Sequence, residues 1–212
     1  MQNPIALFEL EKAPARTSVW NDNAFDALFN TAKQSRFSIA LAIMLARWTG
    51  QRQGDVLNMK WSDIADGHIH VRQHKTGVDV FVTIVPELAF MLNQARKNNS
   101  SDYIIINEET GKRYTGDNFR HWFKKIWTVA VKNNPGIDFS NLKFIDLRRT
   151  LITDLADHGC TDSEIRSISG HSGNSRIVHS VYRQNTARQA DNAMNKLIGL
   201  SVITNPAFEQ AG

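Results

Sequence analysis

Arg52 stands in the run Thr49-Gly50-Gln51-Arg52-Gln53-Gly54-Asp55-Val56-Leu57, directly after a strongly apolar stretch. A guanidinium in a glycine-flanked turn after a buried helix is held on a rigid scaffold while remaining accessible. The plainer reading of the same residues is a solvated arginine in an interhelical loop. A second pair, Arg148 and Arg149, lies in Phe144-Ile145-Asp146-Leu147-Arg148-Arg149-Thr150 at the start of a strong helical pattern. There Leu147 and Leu151 can bury while Arg148 projects near the helix N-terminus, whose free N–H groups also favour anions. Further on, Ser169-Gly170-His171-Ser172 follows a helix end, and Tyr182 comes eleven residues after His171. Cations able to grip an anion, a histidine and a phenol thus recur along the second half of the chain.

The charge distribution points to the same kind of ligand. The 212 residues carry a formal net charge of +4. Between Gly111 and Arg149 nine basic residues face three acidic ones, an excess of six, so the remainder is close to −2. A local excess larger than the total suggests a polyanionic partner for this window, with a solvated helix face as the alternative. The single cysteine, Cys160, excludes an internal disulfide framework and suggests a reducing compartment. The most continuous apolar stretch, Ser38 to Ala46, is too short to cross a bilayer, and the N-terminus lacks the order of a signal peptide. The expectation is a soluble cytoplasmic protein without a membrane segment.

The elements that must position these residues are mostly helical. Asn21 is a plausible cap for a helix carrying Phe25, Leu28 and Phe29 and ending near Gln34. Ser38–Trp48 is apolar nearly all round and reads as a buried central helix, stopped by Gly50. A short helix over Asp55–Met59 should follow. Ile64, an Asp66-Gly67 turn, the alternating run His68–Arg72, a Lys75-Thr76-Gly77 turn and the β-branched run Val78–Val85 predict a small antiparallel sheet. Pro86 opens a helix through Ala95, and Tyr103–Ile106 reads as short and β-like. After Thr115 the chain reads as helical, broken at Pro135, Gly159 and Gly170, with a capping box at Thr161-Asp162-Ser163-Glu164. Ala187–Leu200 is amphipathic through Ala190, Met194, Leu197 and Ile198. The fold class expected is mostly α with a small antiparallel β-sheet (α+β). Residues 1–17 read as a linker, 18–200 as one domain and 201–212 as a tail.

Taken together, these motifs resemble the catalytic domain of the tyrosine recombinase (phage integrase) family. The matching pieces are T-G-Q-R-Q-G-D-V-L-N-M-K-W-S-D-I, then H-K-T-G, D-L-R-R-T, G-H-S and V-Y-R, in the family's order from residue 49 to 184. The resemblance implies that Arg52 is the first catalytic arginine, Lys75 the hairpin lysine, Arg148 the second arginine, His171 the late histidine and Tyr182 the nucleophile. It implies a site-specific recombinase that cleaves and rejoins DNA strands through a 3′-phosphotyrosine, without metal or nucleotide cofactor. It also implies a double-stranded DNA recombination site as partner, a homotetramer on DNA with exchange of the C-terminal tail, and an N-terminal core-binding domain outside this sequence.

The residue types suit that chemistry. Two guanidinium forks match the nonbridging oxygens of a phosphodiester. A phenolate can attack in line, and a lysine can protonate the departing 5′-oxygen. One position departs from the family: a histidine usually stands three residues before the second arginine, where this chain has Ile145. Isoleucine can neither donate a hydrogen bond nor carry a proton, although His171, His121 or His179 could compensate. Two alternatives therefore stay open, a degenerate non-catalytic DNA-binding module and a type IB topoisomerase-like enzyme.

Other residues support narrower expectations. Arg120, Lys124 and Lys125, on the helix whose Phe119, Trp122, Phe123 and Trp127 face the core, should meet the DNA backbone. Arg149 joins them as a DNA-binding residue. Asp55 orients either Arg52 or the hairpin, or simply complements a helix N-terminus. His68, His70 and His74 read as a solvated strand face or as phosphate contacts beside Lys75 rather than a metal site. Cys160 reads as structural.

Overall fold

Asn21 is extended, and its side-chain oxygen accepts the N–H of Ala24, satisfying one free donor at the start of α1 (Asp22–Ser35). In the computed structural model, which describes residues 16–171, this helix begins an order of seven α-helices with one three-stranded sheet among them. The next helix, α2 (Phe37–Thr49), is the centre of the molecule. Ser38 to Ala46 are all buried, as expected for a segment without a polar face. It packs against α1, α4 (Pro86–Lys97) and α6 (Asp146–Asp157). Each fully buried Leu or Ile there contributes about 2 kcal/mol of transfer free energy. Gly50 ends α2 in the left-handed conformation (φ +64°), and a Cβ at that position would lie 2.9 Å from the Leu151 side chain. Both conditions require glycine. A short α3 (Gln53–Asn58) follows two residues earlier than expected.

The sheet has the order β1-β2-β3, from Ile64–Ala65, His68–Arg72 and Asp79–Thr83, all antiparallel. The register pairs Ile69 with Val82 and Val71 with Val80, placing these four apolar side chains inward. His68, His70, Arg72, Asp79, Phe81 and Thr83 take the opposite face, as the two-residue period dictates. The third strand is shorter than Val78–Val85. Its pairing ends at Thr83, just before the chain turns into α4 at Pro86. Tyr103–Ile106 does not form a strand. It makes two isolated bridges, Lys60 with Tyr103 and Ile106 with Arg113. Ile104 and Ile105 are both buried, so this segment runs through the core instead of alternating between core and solvent.

The second half is helical as expected. Thr115 caps α5 (Gly116–Asn133), which packs on α1, and a loop leads to α6. Among the described residues the last helix is α7 (Asp162–Ser169), where Thr161 accepts the Glu164 N–H while Glu164 accepts the Thr161 N–H at 2.6 Å. Gly170 closes α7 in the left-handed conformation. Among the aromatics of α5, Phe119 is fully buried, and Trp122, Phe123 and Trp127 pack partly buried against the core. Cys160 is half-buried beside Ile152, Ala156 and Ile165. The readings of residues 1–15, of Tyr182 and His179, of the amphipathic segment Ala187–Leu200 and of the tail 201–212 lie outside the described residues.

Candidate active site

Three chain breaks meet in space: the turn after α2, the β2–β3 turn and the end of α7. Arg52 stands at the N-terminal boundary of α3, makes no capping bond with its side chain, and is half-buried. Arg148 lies in the first turn of α6, yet its guanidinium does not sit over that helix's N-terminus. It is only 4% exposed and reaches across the molecule, donating to the Gly50 carbonyl at 2.7 Å and to the Ser169 carbonyl at 2.6 Å. This differs from the sequence expectation for a physical reason. The N-terminus of α6 is already occupied by Asp146, which accepts the backbone N–H of Lys143 and a two-pronged ion pair from Arg16 (2.8 and 2.6 Å). Leu147 and Leu151 are buried as expected.

His171 directly follows Gly170. One ring nitrogen lies 2.9 Å from the Ser169 hydroxyl, and the ring lies 3.1 Å from the Arg148 guanidinium. Burial first, then the positive charges of Arg148 and Arg52, lower the His171 pKa to about 3. At neutral pH the imidazole is therefore uncharged, with one N–H to donate. Arg148 is itself lowered to about 9 by burial and by Arg52, partly offset by Asp55. Arg52 and His171 thus lie close enough to the buried Arg148 that the arginine charges disfavour a further positive charge there. A phosphate-sized anion placed there would relieve both costs at once.

Lys75 is exposed in the turn between β2 and β3. Asp55 is buried, and its carboxylate accepts the N–H of His74 at 2.9 Å, so it anchors the turn one residue before Lys75. Of the roles open to Asp55, hairpin attachment is the one with a direct contact. On the outer face of the sheet, His70 lies 2.9 Å from the Asp79 carboxylate and stacks on Phe81 with centroids 4.6 Å apart. His68 lies 2.8 Å from the Asp66 carbonyl.

The second group of cations looks different. Arg120, Lys124 and Lys125 are exposed along α5; Arg120 pairs with Asp117, and the Lys125 ammonium lies 4.4 Å from the Trp122 ring centroid. Arg149, expected to join this face, is buried instead. It follows Arg148 in the buried first turn of α6, and burial lowers its pKa. Ile145, at the start of α6, is 44% exposed. With Gln53, Phe123, Trp127 and Lys124 it lines a mainly apolar cavity of about 480 Å³.

Sequence reasoning missed Gln73. This residue is fully buried, accepts from Arg52 at 3.4 Å and from the Thr76 hydroxyl at 2.8 Å, and donates to Gln51 at 2.6 Å and to the Ser169 carbonyl at 2.8 Å. Its signal was parity: residues 69, 71 and 73 continue one inward row, so a polar side chain at 73 must find buried partners.

Comparisons with known proteins identify the family and the fold. The Phage integrase family model matches residues 20–189, and the chain belongs to that family. The integrase of Escherichia phage HK022 is 29% identical over 197 residues, covering 89% of this chain and 53% of the relative. The chain thus spans about half the length of that relative. The lambda integrase catalytic core superposes with a TM-score of 0.61 at 24% identity, covering 75% of this chain and 94% of the other. A lambda integrase tetramer bound to a Holliday junction gives a TM-score of 0.69 at 23% identity, covering 84% of this chain and 52% of the other. Mostly α with a small antiparallel sheet is therefore the family's catalytic-domain fold.

Proposed function

We propose that residues 18–200 are the catalytic domain of a site-specific recombinase that cleaves and rejoins double-stranded DNA through a 3′-phosphotyrosine. The observation that carries this reading is the clustering of Arg52 and neutral His171 around the buried Arg148, with Arg52 tied through Gln73 to the Lys75 turn. Arg52 and Arg148 hold the nonbridging oxygens of the scissile phosphate, and His171 donates its N–H to the same group. Removing one preorganised donor to a developing oxyanion typically costs about two to three decades of rate.

Tyr182 is the proposed nucleophile. Its oxygen bonds to phosphorus as the P–O5′ bond breaks, its phenolic proton passes to solvent, and Lys75 protonates the leaving 5′-oxygen. Attack of another strand's 5′-hydroxyl on the phosphotyrosine reverses these bond changes and reseals DNA. The residues assign no step to a metal or nucleotide. The DNA-bound tetramer described for lambda integrase is the assembly proposed for this chain, with tail exchange between protomers. A core-binding domain on the same full-length protein and a cytoplasmic setting complete the reading.

A nicked suicide duplex tests it. The unaltered chain should form a covalent protein–DNA adduct that survives detergent, and Tyr182→Phe should not. DNA binding with no adduct from either protein would favour the binding-module reading suggested by Ile145. Relaxation of supercoiled DNA without strand exchange would favour a topoisomerase-like enzyme.

A further inference from the structure

Gln73 occupies a position that joins separate parts of the pocket. Its backbone closes the turn that carries Lys75: its N–H donates to the Val78 carbonyl at 2.9 Å and its own carbonyl accepts from Gly77 at 2.8 Å. Its side-chain oxygen faces Arg52 on one side and the Thr76 hydroxyl on the other. The amide nitrogen spends its two hydrogens on Gln51 and on the Ser169 carbonyl, the same carbonyl that receives the Arg148 guanidinium. Every polar atom of this buried amide therefore has a partner, and the partners come from the α2–α3 turn, the hairpin and the end of α7.

The neighbouring backbone is shaped around this amide. A Cβ on Gly170 would fall 2.6 Å from the Gln73 side-chain nitrogen and 2.7 Å from its oxygen, so the residue before His171 must be glycine for the amide to fit. Gly170 also has φ +64°, which independently disfavours any side chain there. Asp55 adds a second tether, on the N–H of His74. Lys75 itself is exposed in a turn, so its placement depends on what holds the turn.

We infer that Gln73 is a positioning residue that locks the Lys75 turn to the arginine pocket, so that the general acid and the phosphate clamp keep one fixed geometry. It touches neither substrate nor reacting atoms and acts through Lys75 and Arg52. The inference rests on the roles proposed above for Lys75 and the pocket. Gln73→Met keeps the side chain's length while removing its hydrogen bonds, which a purely space-filling role would tolerate.

The test uses the whole chain and a nicked duplex bearing the sequence that the protein selects from a random pool. Adduct formation is followed in single turnover at saturating protein, alongside equilibrium DNA binding. Gln73→Met should bind this duplex within about threefold of the unaltered chain while cleaving about 100-fold more slowly, the range expected for impaired general acid catalysis. In a Lys75→Ala background the same substitution should cost less than about tenfold, because the step it serves is already lost. An equal penalty in both backgrounds, unchanged cleavage, or loss of DNA binding by both Gln73→Met and Gln73→Ala would overturn the inference. Two results would strike the underlying reading instead, and the inference with it: no adduct from the unaltered chain, or full cleavage by Lys75→Ala.

Discussion

The buried pocket around Arg148 and the exposed face of α5 are both cationic, but they are built in opposite ways. Arg148 is fixed by two backbone carbonyls and an imidazole, with its charge held in a site that disfavours it. Arg120, Lys124 and Lys125 stand in water, one with a surface acid and one against an indole. Buried cations cost desolvation and cannot adjust, which suits them to a charge that must form at one point. Exposed lysines cost little and are screened by salt, which suits them to gripping a backbone wherever it lies. The lesson is that positive charge here divides into a geometric part and an adhesive part, separable by experiment.

The largest expected effect falls on the geometric part. Arg148→Lys should slow adduct formation by about 1,000-fold, because an ammonium cannot span the Gly50 and Ser169 carbonyls and still present a fork to phosphate. DNA affinity measured by fluorescence anisotropy should change little, and a parallel collapse of binding would erase the distinction. Ile145→His puts a hydrogen-bond donor at an exposed position three residues before Arg148. It should raise the single-turnover cleavage rate by about tenfold; no gain would mean that His171 already covers that role.

Lys124→Ala combined with Lys125→Ala should do the reverse of Arg148→Lys. Affinity should fall about tenfold, and the slope of log K against log salt should shrink by about two, while cleavage at saturating protein stays near normal. The pH dependence of stability separates the two regions in another way. Because His171 titrates near 3 in the folded chain and near 6.5 when unfolded, the unfolded chain binds more protons between those values. Stability should therefore fall as pH drops from about 6.5 toward 3. His171→Ala should flatten that part of the denaturation-against-pH curve, and an unchanged curve would show that the ring is not held neutral.

Much of the fold was legible because its signals are local. Asn21 and Thr161 announce helix starts through bonds three residues away, and Gly50 and Gly170 announce ends through a backbone conformation that other residues resist. The alternation of His68–Arg72 and the turns around it predict the sheet. Boundaries moved where the surroundings decided them: β3 ends before its β-branched run does because the chain turns into α4, and Tyr103–Ile106 is drawn through the core. Motif order singled out Arg52, Arg148 and His171, which the fold brings near one another. Their surroundings could not be named in this way, since Arg148 finds its carbonyl partners 98 and 21 residues away and Arg16 reaches Asp146 across 130.

The sequence by itself determined the kinds of groups this protein has, the order in which they occur and the helices and hairpin that carry them, because these depend on spacing within a few residues. Only the tertiary structure decided that Arg148 is buried rather than displayed, that Arg149 is buried too, and that Gln73 joins the hairpin to the arginines. Those outcomes depend on which polar atoms meet once three distant chain breaks close on each other. A buried polar group takes whatever partner the packing leaves within reach.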